Sequence, residues 1–453
     1  MDLFGTAGIR GPARDRVTPE LALSVGRAVA ADVDEVVLGR DGRTTGAGLA
    51  AAMAAGFMSG GTSVRQAGIV PTPALAFATQ DRHGVMVTAS HNPPADNGIK
   101  VFEDGSEYDR ARERAIETRV EVGDGPVRWD KWADAERINV LPAYREAVAD
   151  YARRFGAPLD GLRIVVDCGN GVGALATPQV LRSLGADVDA LNANIDGHFP
   201  GRESKPTPET LVDLRAFLRE ADADLGVAHD GDADRIVVLD EHGDVIHEDT
   251  ILAVLAEQYV RESDAGDPVV VTTPNASARI DERVRAAGGR VERVRLGALH
   301  EGMARVRRDG AEETTVVFAA EPWKHVHPAW GGWIDGVASA AVIARLVADS
   351  NGLKSLTAPV TERPYRKISV DCPDEHKAAT MELVGERLPA IVEDATVDTK
   401  YGVRAELPDA SWVLVRPSGT EPYVRVYAES EDVDELVSRA VGVVEDAITD
   451  ASE

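Results

Sequence analysis

The sequence predicts an α/β protein: three related α/β domains with mixed, mainly parallel sheets, followed by a C-terminal α+β domain. Three observations carry this reading. Short buried strand signals alternate with helix signals for most of the length, and helices between such strands argue for parallel pairing through right-handed crossovers. The last hundred residues change character and read as strands with flanking helices. The length of 453 residues allows about three domains, give or take one, and 44% hydrophobic residues are enough for several cores.

In chain order, "LALSVGRAVAADV" reads as a helix, "EVVLGRD" as a strand, "GAGLAAAMAAGFMSGG" as a helix and "GVMVTAS" as a strand ending at Ser90. A poorly patterned acidic stretch follows near residues 103–135. The theme restarts with the strand and turn "LRIVVDCGNG", the helix "TPQVLRSLG", the strand "ADVDALN", the helix "PETLVDLRAFLRE" and the strand and loop "DLGVAHDGDADR". A third round comprises "TILAVLAEQYVRES" as helix, "DPVVVTT" as strand, "ASARIDERVRAAGG" as helix and "TTVVFAAE" as strand. The final module has the strand "YRKISVDC", the helix "EHKAATMELVGERL", two strands around a turn in "ASWVLVRPSGTEPYVRVYAES", and a last helix. The expected domains are therefore 1–145, 146–248, 249–356 and 357–453.

Asp plus Glu outnumber Lys plus Arg by 76 to 49, a net charge of −27, and only 8 lysines accompany 41 arginines. Such a surface repels nucleic acid and anionic lipid, so neither is an expected partner. It fits a salt-accumulating, halophilic source, where short screening lengths make self-repulsion tolerable. No run of about 18 apolar residues marks a membrane span, and "MDLFGTAGIRG" has no secretory pattern. The two cysteines, Cys168 and Cys372, lack metal-site spacing and fit a reducing cytoplasm. The oligomeric state is not readable.

Three loops stand out. In "VMVTASHNPPADNGIK" a strand runs into Ser90, with His91 beside it and Lys100 further on. No G-x-S-x-G elbow surrounds this serine, so an acyl-transfer triad is poorly supported. In "HDGDADR", Asp230, Asp232 and Asp234 alternate, and in an extended or gently turned backbone such residues point the same way. Three carboxylates aimed at one point call for a hard cation, Mg²⁺ or Ca²⁺. The other reading is a solvated acidic turn. A calcium loop of the EF type would place a glutamate twelfth, and Glu241 stands there, but Ile236–Leu239 reads as a buried strand. A serine that carries a phosphoryl group would offer an oxygen to the same cation. In "VRPSGTEPYVR", Arg416, Ser418, Gly419 and Thr420 offer a guanidinium, two hydroxyls and open backbone to an anion; a plain turn is the alternative.

Together "FGTAGIRG" (4–11), "TASHNP" (88–93), "DGDADR" (230–235) and "RPSGTEP" (416–422) resemble the α-D-phosphohexomutase family, in this order and across nearly the whole chain. Its members interconvert sugar 6-phosphates and 1-phosphates. The resemblance implies four domains around a central cleft, the last of them mobile. It implies Ser90 as the phosphoserine, with Asp230, Asp232 and Asp234 holding Mg²⁺ together with a Ser90 oxygen. Arg10 and Lys100 match basic residues near the transferring phosphate, Arg235 closes the metal loop toward substrate, and Arg416, Ser418, Gly419 and Thr420 match the loop for the distal phosphate. Cations at both ends of the transferring group are what phosphoryl transfer needs most.

The sugar loop departs from the family pattern. In "FAAEPWKHVHPAWGGWIDG", Glu321 and His325 fall at matching positions, but Trp323 and Lys324 stand where a small serine and glycine are usual. Glu321 would accept hydrogen bonds from sugar hydroxyls. His325 would shuttle a proton, or else be a surface histidine. Trp323, Trp330 and Trp333 form a packing cluster or a sugar-stacking platform. "AHDGDADR", "DCGNGVGALATP" and "EPWKHVHP" look most like the archaeal phosphoglucosamine mutase-type branch, with phosphomannomutase/phosphoglucomutase as the alternative.

The expected reaction starts with phospho-Ser90 giving its group to a hexose monophosphate. The hexose 1,6-bisphosphate turns over in the cleft, and Ser90 takes back the other phosphate. A hinge ahead of the C-terminal domain would help close the cleft. A non-catalytic sugar-phosphate-binding protein on this scaffold is the rival from another class. A phosphatase is disfavoured because "DGDADR" does not continue as an aspartate-nucleophile motif should.

Overall fold

The computed structural model describes every residue except Met1, Asp2, Thr6, Ala7, Asp124, Glu393, Thr420 and Glu453. The chain packs as two compact units, Met1–Glu248 with Trp323–Thr357, and Asp249–Pro322 with Ala358–Glu453. Among the described residues no helix is long and apolar enough to cross a membrane.

The first unit begins with a seven-stranded mixed sheet. Strands Glu35–Arg40, Ser63–Ile69 and His83–Val87 run parallel, as the alternation predicts. Helix Pro19–Ala30 starts where Thr18 accepts a hydrogen bond from the Leu21 N–H and proline occupies the first turn, where its missing donor costs nothing. It lies against helix Gly46–Gly60 at contact distance because two glycines face each other. A Cβ at Gly26 would sit 2.6 Å from the Met53 carbonyl oxygen, and one at Gly56 2.4 Å from that of Leu23.

Five strands of this sheet are not in the sequence reading: Ile9–Pro12, Ser63–Ile69, Asp96–Glu103, Ser106–Glu107 and Ala135–Arg137. Strand Asp96–Glu103 runs antiparallel to His83–Val87 and also to Ile9–Pro12. Within the stretch read as unpatterned lie helix Arg110–Val122 and edge strand Ala135–Arg137. Only Ile116 and Glu117 are buried on that helix, so it carries no apolar stripe to read.

A second sheet in the same unit is ordered Ile236–Leu239, Leu225–His229, Arg163–Asp167, Asp187–Leu191, parallel except for its first strand. Helix Gly336–Asp349, nearly all buried, completes this unit from late in the chain: Asp335 caps it, and the Arg345 Nε donates to the Phe155 carbonyl at 2.8 Å. The Ser90 loop leaves the carboxyl end of His83–Val87, and the acidic loop leaves that of Leu225–His229. In open α/β sheets those ends are where ligands bind.

The second unit holds parallel strands Asp267–Thr272, Arg290–Arg293 and Thr314–Glu321. It also holds a five-stranded antiparallel sheet with Tyr365–Asp371 and Thr396–Asp398 at its edges. Helices Lys377–Arg387 and Val433–Ala451 cover that sheet. Arg279 donates to Glu429 at 2.7 Å, both side chains out of solvent, and Trp412 Nε1 donates to the other oxygen of Glu429 at 2.9 Å. Arg404 stacks on Trp412 at 4.0 Å and donates to the Pro274 carbonyl at 2.7 Å. The C-terminal sheet is thus tied to residues 274–279, and a motion of this sheet alone about a hinge just ahead of residue 358 would separate this buried ion pair. Such a pair is costly to break when a charge is left uncompensated.

Candidate active site

Ser90 sits at φ 51, a left-handed conformation that an L-residue adopts only when its surroundings impose it. Its N–H donates to Thr88 Oγ1 at 2.9 Å, and its own Oγ donates to Asp230 Oδ2 at 2.6 Å, with Asp234 Oδ1 at 3.5 Å. The side chain is 1% exposed. The turn holding Asp230, Asp232 and Asp234 places one carboxylate oxygen of each within 4.8 Å of the others, and all three are buried. The solvated-turn reading of this loop is therefore wrong. Ile236–Leu239 is a buried strand, which excludes the calcium-loop alternative.

The electrostatics of this cluster are uneven. Burial, and then Asp234 and Asp232, push the Asp230 carboxyl well above the ordinary carboxylate range. Burial would raise Asp234 too, but Lys100, Arg235, Lys324 and Arg10 outweigh it and hold that carboxyl below the ordinary range. Lys100 Nζ lies 3.2 Å from Asp234 Oδ2 and 3.2 Å from Glu107 Oε1. Burial alone would lower its pKa, yet Glu107, Asp234 and Asp232 raise it above the usual lysine value, so it stays charged. Arg235 Nε stands 3.7 Å from Asp230 and 3.8 Å from Asp234. His91 Nδ1 is 3.4 Å from Ser90 Oγ. Burial, followed by the charges of Arg235 and Arg10, pulls His91 down to about 3, so it is neutral at pH 7.

Asp232 Oδ2 accepts from Thr72 Oγ1 at 2.6 Å, while its Oδ1 is buried without a hydrogen-bond partner. A converging all-oxygen set with one orphaned oxygen, and a neighbouring acid that burial drives toward protonation, fits a hard divalent cation in place of that proton.

The structure thus gathers Ser90, the three aspartates, Lys100 and Arg235, with Arg10 close enough to bias Asp234 and Lys100. Sequence reasoning missed Thr72 and Glu107. Glu107 pairs across from Phe102, two residues along the strand from Lys100, so only the register of an unrecognised strand reveals it. It also read Lys324 as a mere departure, whereas Lys324 bridges Arg235 and adds positive charge at Asp234.

His325 is not a surface residue: it is 2% exposed, its Nδ1 3.0 Å from Ser339 Oγ, which His327 Nε2 also meets at 2.9 Å. Trp330 and Trp333 both donate to Asp335, and Trp330 stacks on Phe77 at 5.5 Å. Trp323, at φ 69, packs on the apolar cluster under the second sheet. All three tryptophans pack.

The remaining predicted residues lie in the second unit. Glu321, half-buried at the end of its strand, accepts a hydrogen bond from the Gly297 N–H. Arg416 donates to the Tyr427 hydroxyl at 3.0 Å and lies over its ring at 5.5 Å. Ser418 Oγ accepts from the Glu421 N–H at 3.2 Å. Lys377 Nζ, also missed, donates to the Ser418 carbonyl at 2.8 Å and the Glu421 carbonyl at 2.6 Å, spanning the turn. At Gly419 a Cβ would meet nothing within 4 Å, so that backbone is open to an approaching group. Thr420 lies outside the described residues.

Models of the phosphoglucomutase/phosphomannomutase domains match three segments: alpha/beta/alpha domain I over residues 1–125, alpha/beta/alpha domain II over 142–243 and the C-terminal domain over 368–445. A phosphopentomutase of Thermococcus kodakarensis is 42% identical over 100% of this chain and 99% of its own length. A probable phosphoglucosamine mutase of Methanopyrus kandleri is 41% identical, covering 99% of each. Among solved structures, a phosphoglucomutase/phosphomannomutase family protein of Burkholderia thailandensis superposes with a TM-score of 0.84 at 27% identity, over 100% of this chain and 98% of that one. The N-acetylphosphoglucosamine mutase of Aspergillus fumigatus, solved with GlcNAc-6P and magnesium, shares the fold at 16% identity and TM-score 0.57, over 98% and 96% of the two chains. The chain belongs to the phosphoglucomutase/phosphomannomutase family, the α-D-phosphohexomutases, and is a phosphosugar mutase.

Proposed function

We propose that this phosphosugar mutase interconverts hexose 6-phosphate and hexose 1-phosphate, with glucosamine phosphate as the leading substrate and Ser90 as the phosphoryl carrier. One observation carries the reading: a buried serine hydroxyl 2.6 Å from a carboxylate of a buried triad, with a charged lysine 3.2 Å from another triad member. A protein that only binds sugar phosphate needs no such hydroxyl there.

In the first half-reaction the Oγ–P bond of phospho-Ser90 breaks as a sugar oxygen–phosphorus bond forms, and the sugar hydroxyl's hydrogen ends on Ser90 Oγ; in the second, the bond from the sugar to its other phosphoryl group breaks as Oγ–P reforms, and the Oγ hydrogen passes to the freed sugar oxygen. Between the two, Oγ is in the protonation state in which it donates to Asp230. Hexose 1,6-bisphosphate is the intermediate and also reloads Ser90. Asp230, Asp232, Asp234 and Ser90 would hold Mg²⁺, which supplies charge neutralisation at the serine oxygen when bound. Magnesium in the Aspergillus fumigatus neighbour supports that choice. Lys100, Arg10 and Arg235 oppose the charge on the transferring group. Glu321 reads sugar hydroxyls, and Arg416, Ser418, Gly419 and Thr420 take the phosphate that is not reacting. His325 is assigned a structural role on its burial and its Ser339 bond.

Segments 1–145, 146–248, 249–356 and 357–453 are the proposed domains, three α/β and one α+β, in a cytoplasmic protein adapted to high salt. The second reading of specificity is a pentose phosphate, because a phosphopentomutase is 42% identical end to end; mannose and glucose phosphates come next.

Intact mass before and after incubation with glucose 1,6-bisphosphate tests the mechanism: one phosphoryl group on Ser90 is expected. No adduct in a protein that still turns over sinks it. A coupled assay with Mg²⁺ in high salt, across glucosamine, ribose, mannose and glucose monophosphates, ranks the substrates.

A further inference from the structure

Behind the Ser90 loop lies an arginine that takes no part in the proposed transfer step. Arg43 follows strand Glu35–Arg40 by three residues and is 1% exposed. Its Nη1 donates to the carbonyls of Pro93 at 2.6 Å and Asp96 at 2.9 Å, and its Nη2 to those of Ser90 at 2.8 Å and Asn92 at 2.6 Å. Its Nε donates to Asp41 Oδ2 at 3.1 Å. One guanidinium therefore collects four carbonyls from a seven-residue loop and leaves no donor direction idle. Only a planar fork with five donors can do this; an ammonium has three donors on one atom.

The network continues to Ser90 from the other side. Asp41 Oδ2 also accepts from Thr88 Oγ1 at 2.7 Å, and Thr88 Oγ1 accepts from the Ser90 N–H at 2.9 Å. Both backbone groups of Ser90 are thus fixed by the Asp41–Arg43 pair, one directly and one through Thr88. The guanidinium lies 5.2 Å from the ring of Phe199, and Ser204 Oγ donates to the Asn92 carbonyl at 2.9 Å. These two residues come from the connection between strands Asp187–Leu191 and Leu225–His229 of the second sheet, so the clamp also registers the Ser90 loop against the subassembly carrying the three aspartates.

We infer that Arg43 is the positioning residue for phosphoryl transfer: by gathering the loop's carbonyls it holds Ser90 left-handed, with Oγ facing Asp230 and Asp234. The inference rests on the reading of Ser90 as the carrier. A loop with its carbonyls turned inward has no cheap alternative conformation while the fork is in place. Without the fork, Ser90 relaxes toward negative φ and its Oγ leaves the aspartates.

The test compares Arg43→Lys, Arg43→Ala and Thr88→Val with wild type, each normalised to folded protein by circular dichroism. The readouts are the rate of Ser90 phosphorylation by glucose 1,6-bisphosphate, followed by intact mass, and the KM and kcat of turnover. Arg43→Lys keeps the charge and loses the fork; a fall of ~100-fold or more in the phosphorylation rate is expected, with KM within threefold. Thr88→Val, a milder change, is expected to lose about tenfold. Millimolar guanidinium should restore part of the rate in Arg43→Ala, which a purely structural loss would not allow. Arg43→Lys at the wild-type rate per folded molecule, or with losses confined to melting temperature and KM, overturns the inference. Ser90→Ala, run alongside, separates the failures: if it turns over, the carrier reading falls, whereas if it is dead and Arg43→Lys is normal, only the role of Arg43 falls.

Discussion

The acidic loop at 230–235 and the loop at 416–421 each follow a buried strand, yet they are built in opposite ways. The first is buried and under electrostatic tension: three carboxylates, one hydroxyl and one lysine crowd together. The second has no buried acid. Its turn is spanned by the single flexible side chain of Lys377, and its one glycine faces open space. A prebuilt cluster of charge suits a step in which charge moves, and a tethered turn suits holding a group that does not react. Substitutions in the first loop should act on kcat, those in the second on KM.

The sharpest way to break this contrast is Ser90→Ala. Turnover in a coupled assay is expected to drop by ~10³-fold or more, with the melting temperature nearly unchanged. Next comes Asp230→Asn. Removing one of three crowded carboxylates should stabilise the metal-free protein by about 1 kcal/mol while abolishing the stabilisation by Mg²⁺ and cutting turnover ~100-fold. Thermal melts with EDTA and with Mg²⁺ read both effects, and a metal-free protein that is destabilised by the change would contradict the tension ascribed to this loop. In the second loop, Lys377→Met should raise KM for the sugar phosphate about tenfold and leave kcat within twofold. A loss mainly in kcat would erase the distinction between the loops.

The smallest effect is a control within the first unit. Burial lowers both His325 and His327 to about 3, so each is neutral when folded and takes up a proton more readily once unfolded. Their contribution is intact above the unfolded value near 6.5 and is lost as pH falls below it, at roughly 1.4 kcal/mol per pH unit for each histidine. Denaturant melts between pH 7 and pH 4.5 measure the slope. His327→Gln should flatten it by about half, and His325→Gln should cost less than about threefold in kcat if its role is structural.

The chemistry of the first loop was legible because it is local: alternating aspartates and a serine at a strand end are visible in a few residues. What escaped depends on distance along the chain. Arg43 stands between a read strand and a read helix, and the four carbonyls it gathers lie 47 to 53 positions away. Strand Asp96–Glu103 was hidden by the polar run before it, and Glu107 went with it. Helix Arg110–Val122 has too few buried residues to show a period. The alternation of strands and helices gave the parallel pairing but only two of the first sheet's seven strands, Glu35–Arg40 and His83–Val87. It could not reveal that Trp323–Thr357 returns to pack with the first 248 residues, because a repeating local pattern says nothing about which core it joins.

That return has a consequence for synthesis. The first unit lacks helix Gly336–Asp349, with its buried face and its Tyr144–Asp335 hydrogen bond of 2.9 Å, until residues 249–322 have already emerged. Those residues in turn await strand Tyr423–Glu429, which brings Glu429 to Arg279. Neither half can finish on the ribosome before the other has begun, so a nascent chain stalled near residue 330 would present two unfinished cores at once, a state that attracts chaperones and invites aggregation.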